Sequence, residues 1–166
     1  MKDEGGRVFI ALGSNIEPRV AYLQSAVRLL RTIGEVVRIS PVYETEPIGE
    51  ISQAKFLNAV VEITTLLGPL ECLQSLKSFE KEIGRKTRPR WHEREIDFDI
   101  IFYGDLIVHS PELTIPHPEI ERRAFVLVPM ADLDSKFVHP VSLMTIEDLL
   151  SRVDATGVHQ TSIALA

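Results

Sequence analysis

Hydrophobic positions along the chain fall into four extended runs divided by two helical stretches. Residues 8–12 are continuously apolar, the pattern of a buried strand. Over residues 19–32 the spacing changes. Val20, Leu23, Val27 and Leu30 recur on one helical face, and Gly34 is placed to end that helix. Residues 36–43 and 56–64 read as a second and a third strand. A second helix opens at Pro69, a residue tolerated in the first turn, and Gly84 stops it. Its buried face is Leu70, Leu73, Leu76, Phe79 and Ile83. Residues 96–103 form the fourth strand.

The resulting order, β-α-β-β-α-β, is met most simply by two helices packed on a four-stranded antiparallel sheet. The expected class is α/β of the α+β type, with a ferredoxin-like core. Residues 106–153 add a short strand near 106–108 and helices near 124–133 and 145–153. A single domain over 1–166 is expected, with its core at about 8–153 and 154–166 as a loose tail. Two connections are long for a compact domain, 44–55 and 85–95. Long loops without structure of their own are usually functional or disordered.

Composition narrows the possibilities. A length of 166 residues with 45% hydrophobic positions supports one packed domain. The net charge of -6 argues against nucleic acid as a partner, because phosphate backbones are bound through basic surfaces. Cys72 is the sole cysteine, which excludes an internal disulfide and a cysteine metal cluster. The first residues lack the apolar core of a signal peptide, and no apolar run is long enough to span a bilayer. A cytoplasmic protein without a membrane partner is therefore expected. No long exposed apolar face demands another subunit, so a monomer is expected.

Asp97 and Asp99 stand two apart on the fourth strand, so both carboxylates face the same way. Ile96, Phe98, Ile100 and Phe102 are assigned to the opposite, core face. With Cα atoms roughly 6–7 Å apart, the two side chains can converge on one or two hard cations. Mg²⁺ takes one or two carboxylates together with water and substrate phosphates. The pair also fits a solvated sheet face, but adjacent like charges are unfavourable unless something neutralises them. The preceding loop carries Arg85, Lys86, Arg88, Arg90 and Arg94 against Glu93 alone, a local excess of +4. Cations for phosphate oxygens beside carboxylates for the bridging metal are the recurring plan of phosphoryl transfer. Neither a G-x-x-x-x-G-K-[ST] loop nor a G-x-G-x-x-G fingerprint is present. Gly13-Ser14-Asn15 precedes a helix and could meet an anion, but reads first as a turn and cap. His117 is pinned between Pro116 and Pro118, close to Arg122 and Arg123. Asn58 interrupts an apolar strand; Phe56 and Phe125 read most simply as core.

Taken together these pieces resemble the 6-hydroxymethyl-7,8-dihydropterin pyrophosphokinase family over roughly residues 8–153. The matching segments are ALGSN at 11–15, YETEPIG at 43–49, FLNA at 56–59, Glu80 with Gly84-Arg85, Arg90-Trp91, REIDFD at 94–99, Ile115-Pro116-His117 and Arg123-Ala124-Phe125. The resemblance implies an ATP-dependent transferase of folate biosynthesis, moving the β,γ-diphosphate of ATP to the pterin hydroxymethyl oxygen and releasing AMP. It implies that Asp97 and Asp99 bind two Mg²⁺ ions and that Arg85, Arg94 and Arg88 contact ATP phosphates. Arg85, Arg94, Asp97 and Asp99 are then the catalytic set. It places His117 and Ile100 at the ATP site, with Trp91 and Arg123 joining on closure. Thr45, Ile48 and Asn58 are implied to hydrogen-bond the pterin, and Phe56 and Phe125 to sandwich its ring. Three positions depart from the family pattern: His92 for a glycine, Phe98 for Leu or Ile, and Thr87-Arg88 where an arginine often stands one residue earlier.

Two other classes share this fold. An RNA-binding module needs a basic surface and a basic-Gly-aromatic strand, and residues 55–64 lack that signature. A small-molecule regulatory domain needs no carboxylate pair beside an arginine-rich loop.

Overall fold

The apolar runs become strands that pair antiparallel throughout. In the computed structural model, which describes residues 6–46, 54–90 and 92–165, the chain begins with β1 (Gly6–Ser14), α1 (Arg19–Leu30), β2 (Glu35–Ile39), β3 (Tyr43–Thr45) and β4 (Phe56–Thr65). It continues with α2 (Pro69–Ile83), β5 (Asp97–Tyr103), β6 (Val108–His109) and β7 (Thr114–Ile115). The last elements are α3 (Ala124–Asp134), α4 (Ile146–Leu150) and β8 (Val158–Gln160). The sheet order is β5-β1-β4-β3-β8, with β2 also on β4. β2 pairs with residues 61–64 of β4 and β3 with residues 56–58, so the two share one edge. The four-stranded ferredoxin-like core is as expected, with β1 and β4 at its centre.

The period-2 alternation of the strands supplies two cores. Val8, Ile10 and Leu12 of β1, Leu57, Ala59, Val61 and Ile63 of β4, and Ile96, Phe98 and Ile100 beside or on β5 face α1 and α2. These helices close on them with Leu23, Ala26, Val27, Leu30, Cys72, Leu76 and Phe79. Gly84 ends α2 at φ 111°, a left-handed conformation that glycine adopts without strain. The opposite face carries Phe9, Val60, Ile101 and Phe102, covered by Val126, Leu127, Met130 and Leu133 of α3 and Ile146 and Leu149 of α4. The sheet is thus sandwiched between two helical layers over part of its length.

Three features differ from expectation. The second strand is not continuous: Ser40 and Pro41 divide it into β2 and β3, in keeping with proline's inability to donate a ladder bond. Phe102 lies on the α3 face, not with Ile100. A register shift against β1 between Phe9 and Ile10 places Phe9 opposite Phe102 but Ile10 opposite Ile100, so Ile101 is an extra residue that inverts the alternation. Residues 154–166 do not form a loose tail among the described positions: β8 pairs with β3, and Leu165 is buried in the α1–α2 core.

Candidate active site

α3 covers only one end of its sheet face. Beyond it the same face continues as the floor of an open cleft, built by β1, β4 and β5. The register sets Gly13 between Asn58 and Asp97, and Ala11 between Val60 and Asp99. Small residues on the central strand keep this floor low. A Cβ at Gly13 would stand 2.9 Å from Nδ2 of Asn58, so an alanine would push against the cleft wall. The lining adds Thr45, Glu46, Phe56, Arg90, His92, Arg94, His117, Arg123 and Phe125.

The two carboxylates face the same way, as the alternation demanded, and cations crowd them. Nη2 of Arg85 and Nη1 of Arg94 lie 3.1 and 3.2 Å from the same oxygen, Oδ1 of Asp97. Nη1 of Arg123 is 4.0 Å from Oδ2 of Asp99, and Nε2 of His117 is 3.9 Å from Oδ1 of Asp99. The side chains of Asp97 and Asp99 keep 30% and 41% of their surface exposed. Their concave setting nevertheless packs protein around them on most sides. Both groups sit on a strand floor beneath a ring of side chains. Desolvation, then the neighbouring Asp99 charge, raises the Asp97 pKa to about 6 in spite of Arg94 and Arg85. Asp99 is also raised, again by desolvation first, with Arg123 the main opposing charge.

His117 is fixed by its backbone and its ring. Its N–H donates to the Ile101 carbonyl at 3.0 Å, and its Nδ1 accepts from the Glu119 N–H at 3.1 Å. Burial, then the Arg123 charge, lowers its pKa to about 4. The ring is therefore neutral at pH 7 and carries its proton on Nε2, toward Asp99. Glu80 sits behind the pair. It accepts from the Phe98 N–H at 3.1 Å and lies 3.7 Å from Nη1 of Arg85. Nε of Arg85 is buried with no hydrogen-bond partner.

At the other end the cleft is neutral and aromatic. Thr45 Oγ1 donates to Oδ1 of Asn58 at 2.5 Å, which directs the amide NH₂ toward Gly13. Phe56 at the start of β4 and Phe125 in the first turn of α3 both line the cleft. The guanidinium of Arg123 stands 5.6 Å from the Phe125 ring centre. Both phenylalanines are half-buried rather than full core members.

The fold thus brings together Arg94, Asp97, Asp99, His117, Arg123, Thr45, Phe56, Asn58 and Phe125, with Arg85 reaching the same carboxylate. It does not bring Arg88 or the Ile100 side chain into the lining. Arg88 pairs with the buried Glu95, 3.0 Å from Oε2, and with Glu93. Ile100 points its side chain into the α1–α2 core. Ile48 and Trp91 lie outside the described residues. Glu46, Arg90 and His92 line the cleft and were not singled out as site residues. Nor was Asn15, whose Oδ1 accepts from the Arg94 N–H at 2.7 Å and whose Nδ2 donates to the Ala54 carbonyl at 3.1 Å. That asparagine tethers the ends of both long loops. The ALGSN run could have suggested it, but the local reading was a turn.

The residues present suit Mg²⁺. Among the described residues no cluster of three or more His, Cys, Asp or Glu side chains stands ready to hold a metal. Two carboxylates on one strand face, poorly solvated and mutually repelling, are instead the sparse set that Mg²⁺ accepts when phosphates and water complete its shell.

A family model described as 7,8-dihydro-6-hydroxymethylpterin-pyrophosphokinase (HPPK) matches residues 9–135. The 2-amino-4-hydroxy-6-hydroxymethyldihydropteridine pyrophosphokinase of Aquifex aeolicus is 40% identical over 134 residues, 81% of this chain and 84% of its own. The Bacillus subtilis enzyme of the same name is 42% identical over 127 residues, 75% of this chain and 76% of its own. A mitochondrial folate synthesis bifunctional protein of Arabidopsis thaliana is 46% identical over 127 residues, covering 76% of this chain but only 23% of that protein. Among solved structures, the wild-type HPPK-DHPS of Plasmodium falciparum superimposes with a TM-score of 0.74 at 17% identity. That match covers 92% of this chain and 45% of the other, so it speaks to the fold alone. With the carboxylate pair, the arginine ring and the aromatic end in one cleft, and with the Aquifex and Bacillus relatives matched over most of their length, the chain belongs to the 7,8-dihydro-6-hydroxymethylpterin-pyrophosphokinase family.

Proposed function

We propose that this cleft transfers the β,γ-diphosphate of ATP to the hydroxymethyl oxygen of 6-hydroxymethyl-7,8-dihydropterin, a step of folate biosynthesis. The pterin oxygen bonds to the β-phosphorus as the bond from that phosphorus to the αβ-bridging oxygen breaks. AMP leaves, and the hydroxyl proton is released. The observation that carries this reading is the polarity of the cleft: a carboxylate pair ringed by arginines at one end, two phenylalanines and an amide at the other.

Asp97 and Asp99 would hold Mg²⁺, two ions in our reading, together with phosphate oxygens. Bound Mg²⁺ supplies positive charge where the phosphates carry negative charge, easing attack and departure alike. Arg85 and Arg94 both rest on Asp97 before ligands arrive, which compensates part of its charge. With phosphate present, their planar guanidinium groups suit bidentate oxygen contacts. Arg123 spans the two halves, near Asp99 and over Phe125. Neutral His117 offers an Nε2–H donor for a phosphate oxygen. Phe56 and Phe125 would sandwich the pterin, while Asn58, oriented by Thr45, presents an amide to the polar ring edge. Arg88, held by Glu95, braces the loop instead of meeting phosphate.

The test is AMP release from ATP with and without the pterin alcohol, for wild type and for Asp97→Asn and Asp99→Asn. The expected result is pterin-dependent AMP release by wild type and a loss of at least about a hundredfold in each variant, with folds intact by circular dichroism. Near-normal turnover in both variants at limiting Mg²⁺ would remove the metal assignment.

A further inference from the structure

Arg19 opens α1 with no acidic residue in the first turn. A cation there faces the positive end of the helix dipole, an unfavourable position unless something else holds it. Its side chain is only one-fifth exposed, and its guanidinium satisfies three groups. Nε donates to Oε1 of Glu17 at 2.6 Å. Nη1 donates both to Oε2 of Glu44 at 3.0 Å and to the backbone carbonyl of Lys55 at 3.1 Å. Glu44 belongs to β3 and precedes Thr45; Lys55 precedes Phe56, the first residue of β4. One side chain therefore ties together the two strand ends whose next residues form the aromatic, amide-bearing end of the cleft.

The surroundings reinforce this knot. Nζ of Lys55 lies 3.4 Å from Oε1 of Glu46, across the same two strand ends. β8 pairs with β3 on its outer edge, setting His159 opposite Glu44, and the Glu46 N–H donates to the Gly157 carbonyl at 3.4 Å. Neither Arg19 nor Glu44 lines the cleft. The nucleotide-end groups, Arg85, Arg94, Asp97 and Asp99, make none of these contacts.

We propose that Arg19 is a positioning residue for the pterin end of the site: through Glu44 and the Lys55 carbonyl it fixes Thr45 and Phe56 in register for the ring. This rests on the proposed function above. Steady-state kinetics with each substrate varied in turn tests it, on wild type, Arg19→Ala, Glu44→Gln and Arg19→Ala/Glu44→Gln. The expected result is a rise of about fivefold in KM for 6-hydroxymethyl-7,8-dihydropterin in Arg19→Ala, with KM for ATP within about twofold of wild type. The double variant should be no worse than Arg19→Ala, because the two groups act through one contact. The melting temperature of Arg19→Ala should stay within about 2 °C of wild type, since removing a cation from a helix start offsets the lost ion pairs with Glu17 and Glu44. The inference is overturned if both KM values rise together, if neither moves, or if the pterin effect follows a loss of folded protein. Absence of pterin-dependent AMP release in the wild type would instead strike the function itself.

Discussion

At the scale of single residues, Asp97 is where structure and chemistry pull apart. Its pKa of about 6 stands above the usual carboxylate value, so between about pH 4 and 6 the folded chain holds a proton that the unfolded chain has released. Stability from this group therefore falls as pH rises through that window and is lowest above it. In ligand-free protein with chelator, Asp97→Asn is expected to be more stable than wild type at pH 7.5 by about 1 kcal/mol, and the gap should close toward pH 4. Urea titrations at the two pH values check this; a variant weaker at pH 7.5 contradicts it. Phe125→Ala is expected to weaken pterin binding by about 1–3 kcal/mol, as for bases stacked on aromatic side chains, with ATP affinity nearly unchanged. Calorimetry with each ligand separates that outcome from a core role, which would disturb both. Which residues were legible at this scale follows from range. Asp97 and Asp99 were readable because alternation on a strand is local. Arg88 and Ile100 were placed at the ATP site by resemblance, and the fold turns one toward Glu95 and the other into the core. Gly13 read as a turn because its need for smallness arises only from Asn58, 45 positions away in sequence.

At the scale of elements, the β-α-β-β-α-β order was legible because each strand and helix carries its own period. The exceptions have physical causes that a single element does not display. Ser40 and Pro41 break the second strand, a signal that was present in the proline. The extra residue at Ile101 inverts Phe102, a shift set by pairing with β1 and invisible in β5 alone. β8 was unreadable because three residues with exposed His159 and Gln160 have no amphipathic pattern; the strand exists because β3 offers an open edge. Leu165 then anchors it, 6% exposed within the α1–α2 core. Leu165→Ala is expected to destabilise the fold by about 2–4 kcal/mol, the usual range for a truncated buried leucine. A change below about 0.5 kcal/mol in urea unfolding would mean that residues beyond β8 do not contribute to the core.

At the scale of the whole molecule, two helical layers clamp one end of the sheet and leave the other end bare on one face, and that bare end is the cleft. Cys72 reports on the intact packing. It is wholly buried between α2 and the sheet, and burial pushes its thiol pKa to about 11. At pH 8 a thiol reagent should react only as the molecule opens, with a rate that climbs across the urea transition; immediate reaction of folded protein would contradict the packing described. In the proposed reaction ATP is cleaved between its α and β phosphates, with the two outer phosphates moving together to the pterin. Phosphorus NMR of one reaction containing ATP, Mg²⁺ and 6-hydroxymethyl-7,8-dihydropterin tests it most directly. The expected products are AMP and a pterin diphosphate in equal amounts, the latter as two coupled resonances; ADP with a singly phosphorylated pterin, or ADP with free phosphate, would overturn the proposed transfer.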